Sequence, residues 1–207
     1  ISADKGLCGG FNSSVARYAR DHISDLEKNG KKYLVYVLGK KAGDVLIQKI
    51  SNNIFEKKEG VQGNFIKFSD AEMISKNIID AFSNNEFDSV SMIYNKFVNA
   101  ITQKVTFKKL IPAEIVETNE NVERTYDYEP EESEILDSLL PQNIATQIYS
   151  ALLESSAAEL AARMTAMDNA TRNAGDMIDN LTLVYNRTRQ ANITKELIEI
   201  ISGAEAL

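Results

Sequence analysis

Gln142–Ser202 reads QNIATQIYSALLESSAAELAARMTAMDNATRNAGDMIDNLTLVYNRTRQANITKELIEIIS, with no proline and a single glycine, Gly175. Roughly sixty residues of helix at about 1.5 Å each would extend about 90 Å. An ordinary globular helix has about 11–12 residues, so such length predicts a coiled coil or a helical array. Alternating steps of four and three give Leu153, Ala157, Leu160, Met164, Met167, Thr171, Ala174, Ile178, Leu181 and Tyr185. All but Thr171 are apolar, which is the seam of a helix that packs on another helix. Beside the seam, Ala158, Ala161, Ala162, Ala166 and Ala170 form a small-residue surface that permits close approach. The seam then breaks: residues 186–192 read NRTRQAN, polar except for Ala191, and an apolar stripe resumes at Ile193, Leu197 and Ile200. A helix that turns from apolar to polar and back presents a different partner near its tip.

Upstream, three prolines fall within thirty residues, at 112, 130 and 141, and residues 117–137 carry nine acidic side chains with only Arg124 to oppose them. Like charges repel and proline stops regular structure, so 117–141 is expected to be an acidic linker that leads to a helix over 142–207. The net charge of −7 is uneven: residues 1–116 sum to +4 and 117–207 to −11. The lysine pairs of the first part lack the aromatic interleaving that nucleic acid needs, and read as solvated surface.

Residues 1–116 alternate strand-like and helix-like stretches. Ile1–Ala3 resembles the tail of a strand, and a glycine-rich turn leads to a helix from about Asn12 to Asn29, with Gly30 placed as a C-cap. Tyr33–Leu38 is a short β-branched run suited to a buried strand. Residues 41–51 form an amphipathic stretch. Ser69-Asp70-Ala71-Glu72 has the pattern of a capping box and opens a helix to about Phe82. Ser89–Tyr94 and Lys104–Leu110 read as a hairpin. The expectation is an α/β fold: a small Rossmann-like domain over 1–116, mostly parallel with an antiparallel edge, followed by one very long C-terminal coiled-coil helix.

Chemistry is sparse. One cysteine, Cys8, excludes an internal disulfide, and one histidine, His22, leaves no zinc set. Gly6-Leu7-Cys8-Gly9-Gly10 lies between a strand and a helix, where phosphate can rest on backbone amides. It matches neither dinucleotide nor Walker spacing, and Lys5 precedes the glycines. A tight turn with positive φ, an inert Cys8 and no nucleotide are expected there. Asp4 has no carboxylate partner for acid–base work, and His22 reads as a packing residue. Asp127-Tyr128-Glu129 lacks a calcium-loop pattern. No catalytic, cofactor-binding or metal site is assigned. No apolar run is long enough to span a bilayer, and no signal peptide is evident. Because the chain opens at Ile1 within a pattern, a preceding segment is expected.

Asp4-Lys5-Gly6-Leu7-Cys8-Gly9-Gly10-Phe11-Asn12 resembles a segment of the gamma subunit of F-type ATP synthases. So does the terminal stretch: Ala162-Arg163-Met164-Thr165-Ala166-Met167, Ala170-Thr171, Asn173-Ala174, Leu181-Thr182-Leu183, Tyr185-Asn186, Arg189-Gln190-Ala191, Ile193-Thr194, Glu196-Leu197 and Gly203-Ala204. Gly39-Lys40-Lys41 and Tyr94-Asn95-Lys96-Phe97 fit as well, and the resemblance covers essentially the whole chain. Departures are the absent N-terminal helix and Ala158 in place of a common serine. The acidic linker is of the bacterial type.

The resemblance implies a non-catalytic rotor shaft that couples proton-driven rotation to ATP synthesis in surrounding subunits. Implied partners are the alpha and beta subunits of the catalytic ring, the epsilon subunit, the membrane c-ring, and the missing N-terminal helix of the same subunit, which would cover the seam. The implied location is peripheral, on the cytoplasmic face of the bacterial inner membrane. Arg189, Gln190, Thr194 and Glu196 are implied to form a catch that grips a loop of a catalytic subunit. Two other readings stay open from the residues alone: a Rossmann-like nucleotide-binding enzyme using residues 6–10, and a stand-alone coiled-coil adaptor.

Overall fold

The computed structural model describes residues 1–50, 53–61, 65–113, 129 and 131–205. The elements in chain order are α1 Phe11–Lys28, β1 Val35–Leu38, α2 Lys40–Ile50, β2 Ile54–Lys58, α3 Phe68–Ser83, β3 Val90–Phe97, β4 Gln103–Ile111 and α4 Glu132–Glu205. The chain divides into two compact units, Ile1–Thr165 and Ala166–Leu207. The fold is α/β with small parallel and antiparallel sheet elements followed by a long C-terminal helix.

Local chemistry sets most element ends. α1 buries Phe11, Val15, Ala16, Ala19 and Ile23, all on one helical face. It stops at Gly30, whose φ of +66° lets the Lys31 amide reach the Leu26 carbonyl and the Gly30 amide reach that of Glu27. That is the Schellman pattern, which favours glycine at its left-handed position. α3 ends in the same way with Asn85 at φ +58°, as the Glu86 amide bonds the Ala81 carbonyl. At its start the expected cap is displaced. α3 begins at Phe68, so Ser69 is already inside the helix, and the Asp70 carboxylate accepts from the Lys67 amide at 3.3 Å.

β1 and β2 pair in parallel around α2, and β3 and β4 pair as an antiparallel hairpin. The parallel and antiparallel parts are thus separate two-stranded pairs among the described residues. Residues 1–3 run between them: the Ile1 nitrogen donates to the Ile93 carbonyl of β3 and the Ser2 amide to the Leu38 carbonyl of β1, both at 2.8 Å. The hairpin turn is held by Asn99, whose side-chain oxygen accepts the amides of Ile101 and Thr102.

α4 differs from expectation at its start. It begins ten residues before the expected Gln142 and runs through Pro141. An interior proline costs a helix about 3 kcal/mol. The following turns offset this by burying Ala145, Ile148, Ala151 and Leu152, four residues each under 4% exposed. By packing, residues 142–165 belong with the first compact unit, Ile1–Thr165. The rest of the acidic segment, residues 114–128 and 130, lies outside the described residues. Gly175 does not interrupt the helix.

The main core gathers Leu38, Ala71, Ile74, Ile78, Met92, Tyr94 and Leu110 against Ile148, Ala151 and Leu152 of α4. Ile74 and Leu152 are essentially sealed, and each contributes about 1.5–3 kcal/mol of apolar burial. No described helix is long and apolar enough to cross a membrane.

Candidate interaction surfaces

The glycine loop is a joint in the packing. Leu7 and Gly9 take positive φ, +63° and +54°, so the left-handed positions include a non-glycine residue. The Asn12 side chain accepts from the Ala3 amide and donates toward the Lys5 carbonyl and the Cys8 sulfur. The Asp4 carboxylate takes the amides of Lys40 and Gly60, each at 3.1 Å, which ties the loop to the ends of β1 and β2. Cys8 is buried with Ala3, Phe11 and Ala158 of α4. Burial, and then the nearby Glu159 carboxylate, push the Cys8 thiol up from its ordinary value, which disfavours the nucleophilic thiolate. His22 packs its ring against Phe107, tilted at 54° with centroids 4.9 Å apart.

Concavities lie elsewhere. One is lined by Lys108, Lys109, Leu139 and Leu140, another by Phe55, Glu56 and Asn77, and neither includes residues 4–10. Among the described residues no three His, Cys, Asp or Glu side chains gather as metal ligands.

Two faces of α4 carry apolar character. The one buried in the α/β unit holds Ala145, Ile148, Leu152, Ser155, Ala158, Glu159 and Ala162, while the seam starting at Leu153 lies about one residue, or roughly 100°, around the helix. The small residues Ala158 and Ala161 therefore face the domain, with Ala158 on the glycine loop instead of on another helix. Sequence reasoning missed Leu152, Ser155 and Glu159 as contact residues. A second run at steps of three and four, from Ala145 to Ala162, was present, but its serine and glutamate obscured it.

The seam itself is exposed. Leu153, Leu160, Met164, Met167, Ile178, Leu181 and Tyr185 all present apolar surface, and Ala174 is exposed too. Nothing described in this chain covers it. Near the tip, Arg189, Gln190, Thr194 and Glu196 are exposed. They follow one another within two turns, and residues 190 and 194 share a face. The Thr194 hydroxyl donates to the Gln190 carbonyl at 2.9 Å, so toward a partner it can only accept.

The profile of the family described as ATP synthase matches residues 1–207, the whole chain. An ATP synthase gamma chain of Rhizobium etli is 50% identical over 210 residues, spanning 100% of this chain and 71% of the relative. That of Paracoccus denitrificans is 48% identical over 207 residues, with the same coverage. Among solved structures, the central stalk and c-ring of Tetrahymena thermophila mitochondrial ATP synthase aligns with a TM-score of 0.65 at 28% identity, covering 83% of this chain and 74% of that one. The mitochondrial ATP synthase of Euglena gracilis aligns over 100% of this chain and 70% of its own with a TM-score of 0.73; at 19% identity it speaks for the fold. A chain with this fold, a long C-terminal helix and these relatives belongs to the ATP synthase gamma-chain family, as a non-catalytic subunit of the central stalk.

Proposed function

We propose that the chain acts as a rotor shaft that couples proton-driven rotation to ATP synthesis in the alpha and beta subunits of a catalytic ring. The supporting observation is how α4 is used along its length. One face of residues 145–162 is buried in the α/β unit, while the face from Met164 to Ile201 offers an apolar seam and a polar tip. Several turns of apolar stripe are more than a monomer ordinarily leaves in water. The occupant that fits the seam is the helix preceding this chain in the full subunit, laid antiparallel on Leu153, Leu160, Met164, Met167, Ala174, Ile178, Leu181 and Tyr185.

Around that pair, an asymmetric shaft offers each catalytic subunit a different surface. Open and closed states of each site then differ in their contacts with it, and rotation permutes the bias. Arg189, Gln190, Thr194 and Glu196 act as the catch on a catalytic-subunit loop. A catch must release, so its bonds are modest, about 0.5–1.5 kcal/mol when neutral and more when charged. The α/β unit faces the epsilon subunit and the c-ring, and the whole sits at the cytoplasmic face of a bacterial inner membrane.

The test is rotation. A probe on an exposed position of α1, such as Ser13→Cys in a Cys8→Ser background, should turn in steps when the assembled ring hydrolyses ATP. Hydrolysis at the full rate with the probe stationary would sink the proposal.

A further inference from the structure

A helix that transmits torque must be kept from turning in its seat as well as from lifting out of it. Most of the seat of α4 is apolar, with Ala151 and Leu152 on the main core and Ala158 on Cys8 and Phe11, and it also buries Ser155 and Glu159. Apolar burial scales with area and has no direction. Small side chains make the contact smooth, so the seat resists withdrawal better than rotation about the helix axis. Directional bonds must supply the remaining restraint.

Those that reach from α4 into the domain include three near the two ends of the seat. At one, the Ser75 hydroxyl donates to the Pro141 carbonyl at 3.3 Å, a single neutral bond. At the other, the Thr165 hydroxyl reaches the Ala100 carbonyl at 3.2 Å, but its one proton is shared with the Ala161 carbonyl of its own helix at 3.1 Å. Arg163 is different. Its guanidinium pairs with Glu159 one turn back and donates to the Gly6 carbonyl at 3.4 Å, across 157 residues of sequence. Glu159 is 8% exposed, so the guanidinium is aimed by a carboxylate that has few other places to point. The receiving loop is braced, since Asp4 fastens it to the amides of Lys40 and Gly60. Load applied at Gly6 therefore passes to the ends of β1 and β2.

The geometry points to Arg163 as the torsional lock of the shaft, a positioning residue that fixes the rotational register of α4 in the α/β domain by holding the Gly6 carbonyl, with Glu159 orienting its fork. This rests on the rotor-shaft reading and adds a function for the glycine loop, which becomes the anchorage of the shaft. One terminal nitrogen of the guanidinium meets both the Glu159 carboxylate and the Gly6 carbonyl, held in the plane of a rigid group, whereas a lysine ammonium is a point charge on a flexible stem.

The assembled enzyme in sealed vesicles tests this with Arg163→Met and Arg163→Lys, by reading ATP hydrolysis and proton pumping side by side. Arg163→Met should hydrolyse ATP at least as fast as wild type while pumping roughly tenfold fewer protons per ATP, the factor that loss of one charge-assisted hydrogen bond allows. Arg163→Lys should fall between, with subunit content and melting temperature unchanged in both. An unaltered proton-to-ATP ratio in the methionine variant would overturn the lock, as would hydrolysis and pumping that decline in proportion. If the methionine variant does not assemble, the lysine variant decides on the same ratio. Vesicles that pump normally with this subunit omitted would instead overturn the shaft reading.

Discussion

Gly39 sits at φ +93°, and a Cβ there would stand 1.9 Å from the Ser2 carbonyl oxygen. The close approach exists because residues 1–3 lie against β1, with the Ser2 amide on the Leu38 carbonyl and the Ser2 hydroxyl accepting the Ala42 amide. Gly39→Ala meets both a left-handed backbone and a backbone clash, and is expected to destabilise the α/β unit by about 3 kcal/mol or more. Urea denaturation checks this, and a midpoint equal to wild type would contradict it. Glu159 offers a second check. Burial pushes its carboxyl above the usual 4.5, against the opposing pull of Arg163 and Lys5. A carboxyl raised in the fold contributes stability that is present below its unfolded pKa and lost as pH rises through the folded one. Glu159→Gln should therefore flatten the decline in stability from about pH 4.5 upward, and a steeper decline in the variant would refute the assignment.

At the scale of the element, α4 gives a contrast between neighbouring faces. Leu152 is fully buried, while Leu160, two turns on and on the other face, is 59% exposed. Leu152→Ala should cost about 2–5 kcal/mol through lost burial and a cavity, whereas Leu160→Ala should change the stability of this chain by less than about 0.5 kcal/mol. The order should reverse for association: with a peptide of the helix proposed to cover the seam, Leu160→Ala should weaken its binding and Leu152→Ala should not. Equal stability losses in the two variants would show that the seam is covered from within this chain.

At the scale of the whole molecule, the prediction concerns turnover. Arg189, Gln190, Thr194 and Glu196 are exposed on α4, and their side chains have no part in the core clusters. Gln190→Leu or Glu196→Gln should leave the unfolding of this chain nearly unchanged. Each should lower steady-state ATP turnover of the assembled complex by a factor of about 2–10, the worth of one catch bond. Wild-type turnover with all four replaced by alanine would remove the catch.

Much of this protein is local and was readable. The glycine at the end of α1, the β-branched run of β1, the hairpin and the unbroken helix beyond Gln142 follow from side-chain periodicity and backbone preference, which act over a few residues. The apolar stripe through Leu153, Leu160 and Met164 and the polar interruption at 186–192 are patterns of the same local kind. What tertiary structure alone decided is which face of α4 meets the domain, how far the helix extends before Pro141, and that Ile1–Ala3 bridge β1 and β3. Each depends on groups distant in sequence: Cys8 and Phe11 for Ala158, the main core for Leu152, the Gly6 carbonyl for Arg163. A helix with apolar side chains on two faces states in its sequence that both can be buried. Apolar burial has no direction of its own, so only the arrival of a partner surface, and the hydrogen bonds that surface can satisfy, selects between them.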